Sequence, residues 1–207
     1  MSLLPRPPIV NVGYRSTNYW VIGANGSRLL VDLGYPGTMG MMRASLERKG
    51  VRLGEIRYAL ATHYHIDHAG LAQELKRAGV PLLVLEPQLA AIPAMKAWTK
   101  AGDGYLEVTM HDNVVIAAEE SRRLLERLGI GGEILPTPGH SDDSVSLVLD
   151  DGSVFTGDLT PPALMGDDAA STVALESWRR LRARGARVVH PGHGAVWLLD
   201  DAPWPKT

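Results

Sequence analysis

The apolar run at residues 57–61 stops abruptly, and the chain then places His63, His65, Asp67 and His68 within six positions. An apolar run of this length reads as a buried strand, and side chains just past its end are free for chemistry. In extended backbone, residues two apart point the same way, so His63 and His65 can grip one ion together. Asp67 and His68 lie past the bend, where they can face a second ion beside the first. Imidazole and carboxylate are ligands for zinc and also suit iron or manganese. Any fold for this chain must therefore open this strand end onto a shared polar pocket.

Three later segments repeat the placement. His140, Asp158 and His193 each stand beside a glycine at or near the end of an expected strand, and glycine permits close approach or positive φ. A carboxylate has two oxygens, so Asp158 can bridge two ions. Two ions about 3.5–4 Å apart lower the pKa of a shared water to roughly 7 and polarise a substrate oxygen. Taken singly, each histidine is as readily a surface or core residue; the case rests on the recurrence at strand ends. His111 has no such company, and His190 is read as closing the last strand. The chain has no cysteine, which excludes disulfides, iron–sulfur clusters, thiolate zinc sites and a cysteine nucleophile.

The remaining pattern supplies the frame. Residues 19–22 and 29–33 read as a hairpin about a turn at 23–26, followed by a helix at about 38–49 that Gly50 caps. Leu71, Leu75 and Ala78 continue as an amphipathic helix with Asp67 as its N-cap. A strand at 82–85 precedes helical patterns at about 87–101 and 117–128, separated by an irregular segment. Strands follow at 133–136, 145–149 and 154–156, then a helix at about 173–184, a strand at 187–190 and a tight turn at 191–194. Strands precede and follow helices in two halves. The expected fold is α+β, a four-layer αββα sandwich of two mixed sheets flanked by helices, formed as one domain over residues 1–207.

Apolar residues make up 45% and charged residues 21% of the chain, an ordinary globular composition. A formal charge of −2 offers no basic field, so nucleic acid is not an expected partner. The N-terminal residues lack the apolar core of a signal peptide, and no stretch reaches about 18 uninterrupted apolar residues. The expectation is a cytoplasmic protein with no membrane partner, acting on a small-molecule substrate. Base rates alone allow a homodimer.

The run His63-Tyr64-His65-Ile66-Asp67-His68 resembles the His-x-His-x-Asp-His signature of the metallo-β-lactamase superfamily. Asp32 on an early strand, His140, Asp158 and His193 follow in that family's order. The resemblance implies the αββα fold and two divalent metal ions, zinc first, with iron or manganese also suited. It places His63, His65 and His140 on one ion, Asp67, His68 and His193 on the other, and Asp158 between them. It also gives Asp67 a catalytic part, orienting a bridging hydroxide and taking up its proton. Asp32 is read as a buried carboxylate that orders the ligand loop through hydrogen bonds rather than as a ligand.

Departures narrow the reaction. β-Lactamases of the common zinc classes place Cys or another His where Asp158 stands, whereas Asp158 looks like the bridging residue of glyoxalase II, lactonases and related esterases. The implied activity is hydrolysis of an ester-like bond: a thioester, lactone or carboxylic ester. Only residues 195–207 follow the last ligand, which argues against a glutathione-binding extension. One alternative is a mononuclear non-haem iron persulfide dioxygenase using His63, His140 and Asp158. Another is a metal-binding protein without turnover, disfavoured because no ligand position is degraded. Tyr35, Met41, Met95, Trp98, Tyr105 and Met165 lie on segments that can wall the site, although packing is the commoner role for such residues. Ser141, Asp142, Asp143 and Ser144 are expected to order the His140 loop.

Overall fold

The computed structural model describes residues 6–24, 26–201 and 204. Strands β1 (Ile9–Asn11), β2 (Trp20–Ala24) and β3 (Ser27–Val31) run antiparallel. Helix α1 (Met39–Arg48) then returns the chain so that β4 (Ile56–Leu60) lies parallel to β3. After the short helices α2 (Ile66–Ala69) and α3 (Ala72–Arg77), β5 (Leu83–Leu85) continues the sheet through a parallel bridge between Ala59 and Leu82. Helix α4 (Ala91–Ala94) leads towards β6 (Val114–Ile116), parallel to β5.

The second half begins with α5 (Ser121–Arg127) and an antiparallel meander of β7 (Gly132–Pro136), β8 (Val145–Leu149) and β9 (Ser153–Gly157). Helix α6 (Ala169–Ala183) crosses over to β10 (Val188–Pro191), parallel to β9, and β11 (Trp197–Leu198) pairs antiparallel beside it. Both sheets are therefore mixed.

Period-two alternation sorts the side chains into layers. Ile22, Leu29, Val31 and Leu60 of the first sheet meet Ile134, Val145, Leu147 and Phe155 of the second in a core between the sheets. The alternate residues Val21, Leu30 and Ala59 pack under Met42 and Leu46 of α1 and Leu75 of α3. On the other side, Val148, Val154 and Val189 pack under Ala174, Trp178 and Leu181 of α6. The result is the expected order of helix, sheet, sheet, helix. Among the described residues no helix is long and apolar enough to cross a membrane.

Local details differ from the sequence expectations for identifiable reasons. Asp67 is not an N-cap: α2 starts at Ile66 with His65 in the capping position, and Asp67 lies in the first turn. The expected single helix breaks at Gly70 and Leu71, where the backbone runs so close to Pro36 that a Cβ on Gly70 would stand 2.4 Å from the proline ring. Residues 87–101 form 3-10 turns at Glu86–Gln88 and Met95–Trp98 around the short α4, since Pro87 and Pro93 remove backbone donors. Strands β6 and β11 were not expected; two or three residues carry no readable period. Helix α6 starts earlier than 173, because the Asp168 carboxylate accepts from the backbone N of Ser171 at 2.8 Å and caps it. Asn25 of the expected turn and residues 1–5 lie outside the described residues.

Candidate metal centre

All seven sequence-predicted ligands converge at one end of the two sheets. His63 and His65 leave β4, Asp67 and His68 ride on α2, His140 follows β7, Asp158 follows β9 and His193 follows β10. They form two groups, His63, His65 and His140 in one, and Asp67, His68, Asp158 and His193 in the other. Within each group the ligand atoms lie within 4.8 Å of one another. His65 Nδ1 is 3.1 Å from His140 Nε2, and His193 Nε2 is 3.1 Å from Asp67 Oδ2. Asp158 touches both groups: its Oδ1 is 3.2 Å from His68 Nε2 and its Oδ2 is 3.8 Å from His140 Nε2.

Asp32 organises this end of the first sheet. It is buried with φ of 63°, and its backbone N donates to Leu60 O at 2.9 Å. Its Oδ1 accepts from both the backbone N and the hydroxyl of Thr62, each at 2.8 Å, while its Oδ2 lies 2.9 Å from His68 Nδ1. That last contact places the proton of His68 on Nδ1 and turns Nε2 to the site. The Thr62 hydroxyl, having donated to Asp32, is left to accept from His63 Nδ1 at 3.2 Å, so Nε2 of His63 also carries the free lone pair.

His193 is held from a segment that sequence reasoning missed. Its Nδ1 donates to Ser16 O at 2.7 Å, and Asn18 Nδ2 donates to the carbonyls of Pro191 and Gly194 at 3.0 and 2.8 Å. Thr17, buried next to them, donates from Oγ1 to Asp67 Oδ2 at 3.2 Å. Nothing in the spacing of residues 16–18 marked this role, since their partners stand far along the chain. Three of the four residues expected to order the His140 loop do so: Asp143 Oδ2 accepts from Tyr64 N at 2.8 Å, and the Ser141 and Ser144 hydroxyls pair at 2.8 Å, while Asp142 is exposed. Two ligand-flanking glycines are there for space. A Cβ on Gly157 would stand 2.2 Å from Thr62 Oγ1, and one on Gly192 would stand 2.5 Å from both Asp158 Oδ1 and His68 Cε1.

The charges are arranged for a cation. Among the described residues His63 Nε2, His68 Nε2 and Asp158 Oδ1 are buried with no hydrogen-bond partner, a costly condition in a protein interior. Converging imidazole and carboxylate lone pairs of this kind fit a divalent metal ion. Burial, then the neighbouring His68, keeps His63 well below the ordinary imidazole pKa, and burial lowers His140 as well. Burial works against ionising Asp67 and Asp158, yet His68 and His193 hold both carboxyls below their usual range. Burial likewise opposes the protonated form of His68, but Asp32, Asp158 and Asp67 hold it up, to about 12. A cation bound among these carboxylates would compete directly with that proton.

Of the expected wall residues, Trp98 is exposed with its ring 6.0 Å from that of His65. Tyr35 OH lies 3.5 Å from Thr17 Oγ1, and Met41 is exposed on α1. Met95 is wholly buried in the outer core, so it walls nothing; Tyr105 packs on that core and Met165 on the one beneath α6. Neither remaining histidine joins the site. His111 is a surface residue 3.5 Å from Asp112, and His190 stacks on Phe155 in the interior.

The family model described as the metallo-beta-lactamase superfamily matches residues 12–193. An atrochrysone carboxyl ACP thioesterase of Aspergillus fumigatus is 28% identical over 193 residues, covering 88% of this chain and 52% of the relative. The lactamase-like protein nscB of Trichophyton rubrum is 27% identical over 194 residues, covering 91% of this chain and 52% of the relative. The chain spans about half the length of these curated relatives. Among solved structures, a metallo-beta-lactamase family protein of Thermus thermophilus superposes with a TM-score of 0.70 at 21% identity, covering 95% of this chain and 76% of that one. At such identity the structural likeness speaks for the fold, and the family match for descent. The chain belongs to the metallo-beta-lactamase superfamily.

Proposed function

We propose that the chain is a metal-dependent hydrolase of an ester-like bond, with a dinuclear site in which His63, His65 and His140 hold one divalent ion, Asp67, His68 and His193 hold a second, and Asp158 serves both. The observation that carries this reading is the Asp158 carboxylate, whose two oxygens reach His68 of one group and His140 of the other. Zinc is the first expectation, while imidazole and carboxylate also suit iron or manganese. Divalent ions bound here supply an acidified water at neutral pH and a Lewis acid for the substrate carbonyl.

The chain's own groups do the rest. Asp67 Oδ2, positioned by the Thr17 hydroxyl, orients the attacking water and takes up its proton. Water oxygen bonds to the carbonyl carbon, the bond to the leaving sulfur or oxygen breaks, the proton held by Asp67 passes to that leaving atom, and the water's second proton is released to solvent as the new acid ionises. The products are a carboxylate and a thiol or alcohol. Among thioester, lactone and carboxylic ester, the name of the thioesterase relative favours the thioester. The dioxygenase alternative, through His63, His140 and Asp158, leaves His65, Asp67, His68 and His193 with no ion to hold.

Elemental analysis of protein purified without added metal, paired with a screen of thioesters, lactones and phosphodiesters, tests the proposal. Asp158→Ala should lose most bound metal and turnover together. Full activity in that variant would exclude the bridging role.

A further inference from the structure

Trp98 is 66% exposed, and it stands one ring's distance, 6.0 Å, from the candidate ligand His65. A scattered exposed apolar residue calls for no explanation, but this one is held in place. Met95 anchors its turn in the core with no exposure. Thr99 closes the turn by donating to Lys96 O from its backbone N at 3.2 Å and its hydroxyl at 2.8 Å. Lys96 and Thr99, which flank Trp98 in the chain, line an open cavity of about 680 Å³ together with Lys100, Gly102, Tyr105 and Glu107.

A rigid indole face takes either a flat aromatic group or a cation. Charge decides between them. Lys96 and Lys100 stand two positions before and after Trp98, but Glu107, paired to Lys96 at 2.8 Å, and Asp103, accepting from the backbone N of Lys100 at 2.7 Å, offset both. A cation approaching the indole would instead be repelled by the divalent ions that the ligands beside His65 fit. The 6.0 Å between Trp98 and His65 leaves the indole close enough for a ring bonded to the reacting carbonyl to lie against it. We propose that Trp98 is a specificity-determining residue that stacks the flat aromatic acyl group of the substrate. The assignment of this group as the acyl part rests on the hydrolase reading above; the stacking itself does not.

Calorimetric titration of the metal-loaded protein with 2-naphthoate, using acetate as control, tests the stacking without turnover. Trp98→Ala should weaken naphthoate binding about tenfold, Trp98→Phe should recover most of it, and acetate affinity and metal content should not change. In turnover, Trp98→Ala should raise KM about tenfold for a 2-naphthoyl thioester and leave KM for an acetyl thioester within about twofold. Equal naphthoate affinity in the wild-type and Trp98→Ala proteins overturns the inference, as does wild-type binding of naphthoate no tighter than acetate. Tighter binding of phenyltrimethylammonium than of naphthoate would also overturn it. If the wild-type protein cleaves neither thioester, the thioester preference in the hydrolase reading fails, while the titration still decides the role of Trp98.

Discussion

At the scale of single residues, Asp32 does the most to prepare the centre. A left-handed backbone costs a non-glycine residue about 1–3 kcal/mol, and Asp32 adopts φ of 63° in the interior. That conformation lets one carboxylate serve the Thr62 backbone, the Thr62 hydroxyl and His68 at once. Asp32→Asn should keep the backbone, since Asn tolerates this region, but it removes the charge facing His68. Metal affinity should fall about 10–100-fold, read by competition with a chromogenic chelator at unchanged melting temperature. Unaltered affinity would show that Asp32 only shapes the loop. The sequence pointed to Asp32 as an ordering carboxylate, while Ser16, Thr17 and Asn18 left no trace, because their partners lie some 50 to 177 positions away.

At the scale of elements, the first sheet's far edge depends on α3. Lys76, in the last turn of that helix, sends its ammonium into the loop that precedes β6. There it meets Thr109 O at 2.7 Å, Thr109 Oγ1 at 3.0 Å, His111 O at 2.5 Å and Asn113 Oδ1 at 2.7 Å. Gln73, one turn earlier, accepts from Thr109 N at 2.8 Å. Charge-assisted bonds to backbone carbonyls hold more firmly than neutral ones. Lys76→Met should destabilise the fold by about 1–3 kcal/mol in urea unfolding, with faster amide exchange confined to residues 109–116. A stability change within about 0.5 kcal/mol, the ordinary range for a surface substitution, would show that β6 pairing alone holds this edge.

At the scale of the whole molecule, His190 helps join the two sheets. It stacks on Phe155 of β9 at 4.7 Å and 18° and meets the edge of Trp20, from β2 of the other sheet, at 4.8 Å. Burial pulls its pKa down to about 4; Asp151 opposes this and Arg6 adds to it. Between pH 6.5 and 4 the unfolded chain binds a proton here that the native state refuses, so stability falls as pH drops through that window. The loss is about 2 kcal/mol once residual solvent contact is allowed for. His190→Phe should flatten this part of the pH–stability curve relative to wild type, measured on chelator-treated protein so that metal loss does not contribute. Parallel curves for the two proteins would refute the assignment.

What the sequence determined by itself was what spacing encodes. His63, His65, Asp67 and His68 sit past an apolar strand, His140, Asp158 and His193 sit beside glycines at strand ends, and short apolar runs mark strands such as β3, β8 and β9. Each of these is a property of neighbours along the chain, so each survives without coordinates. Only the tertiary structure decided which face of Asp158 meets which histidine, that Gly70 against Pro36 splits a helix in two, that β6 exists, and that Met95 is sealed in the core while Trp98 stands out beside His65. Those outcomes depend on the approach of segments distant in the chain, and close packing between them is not written in any local period.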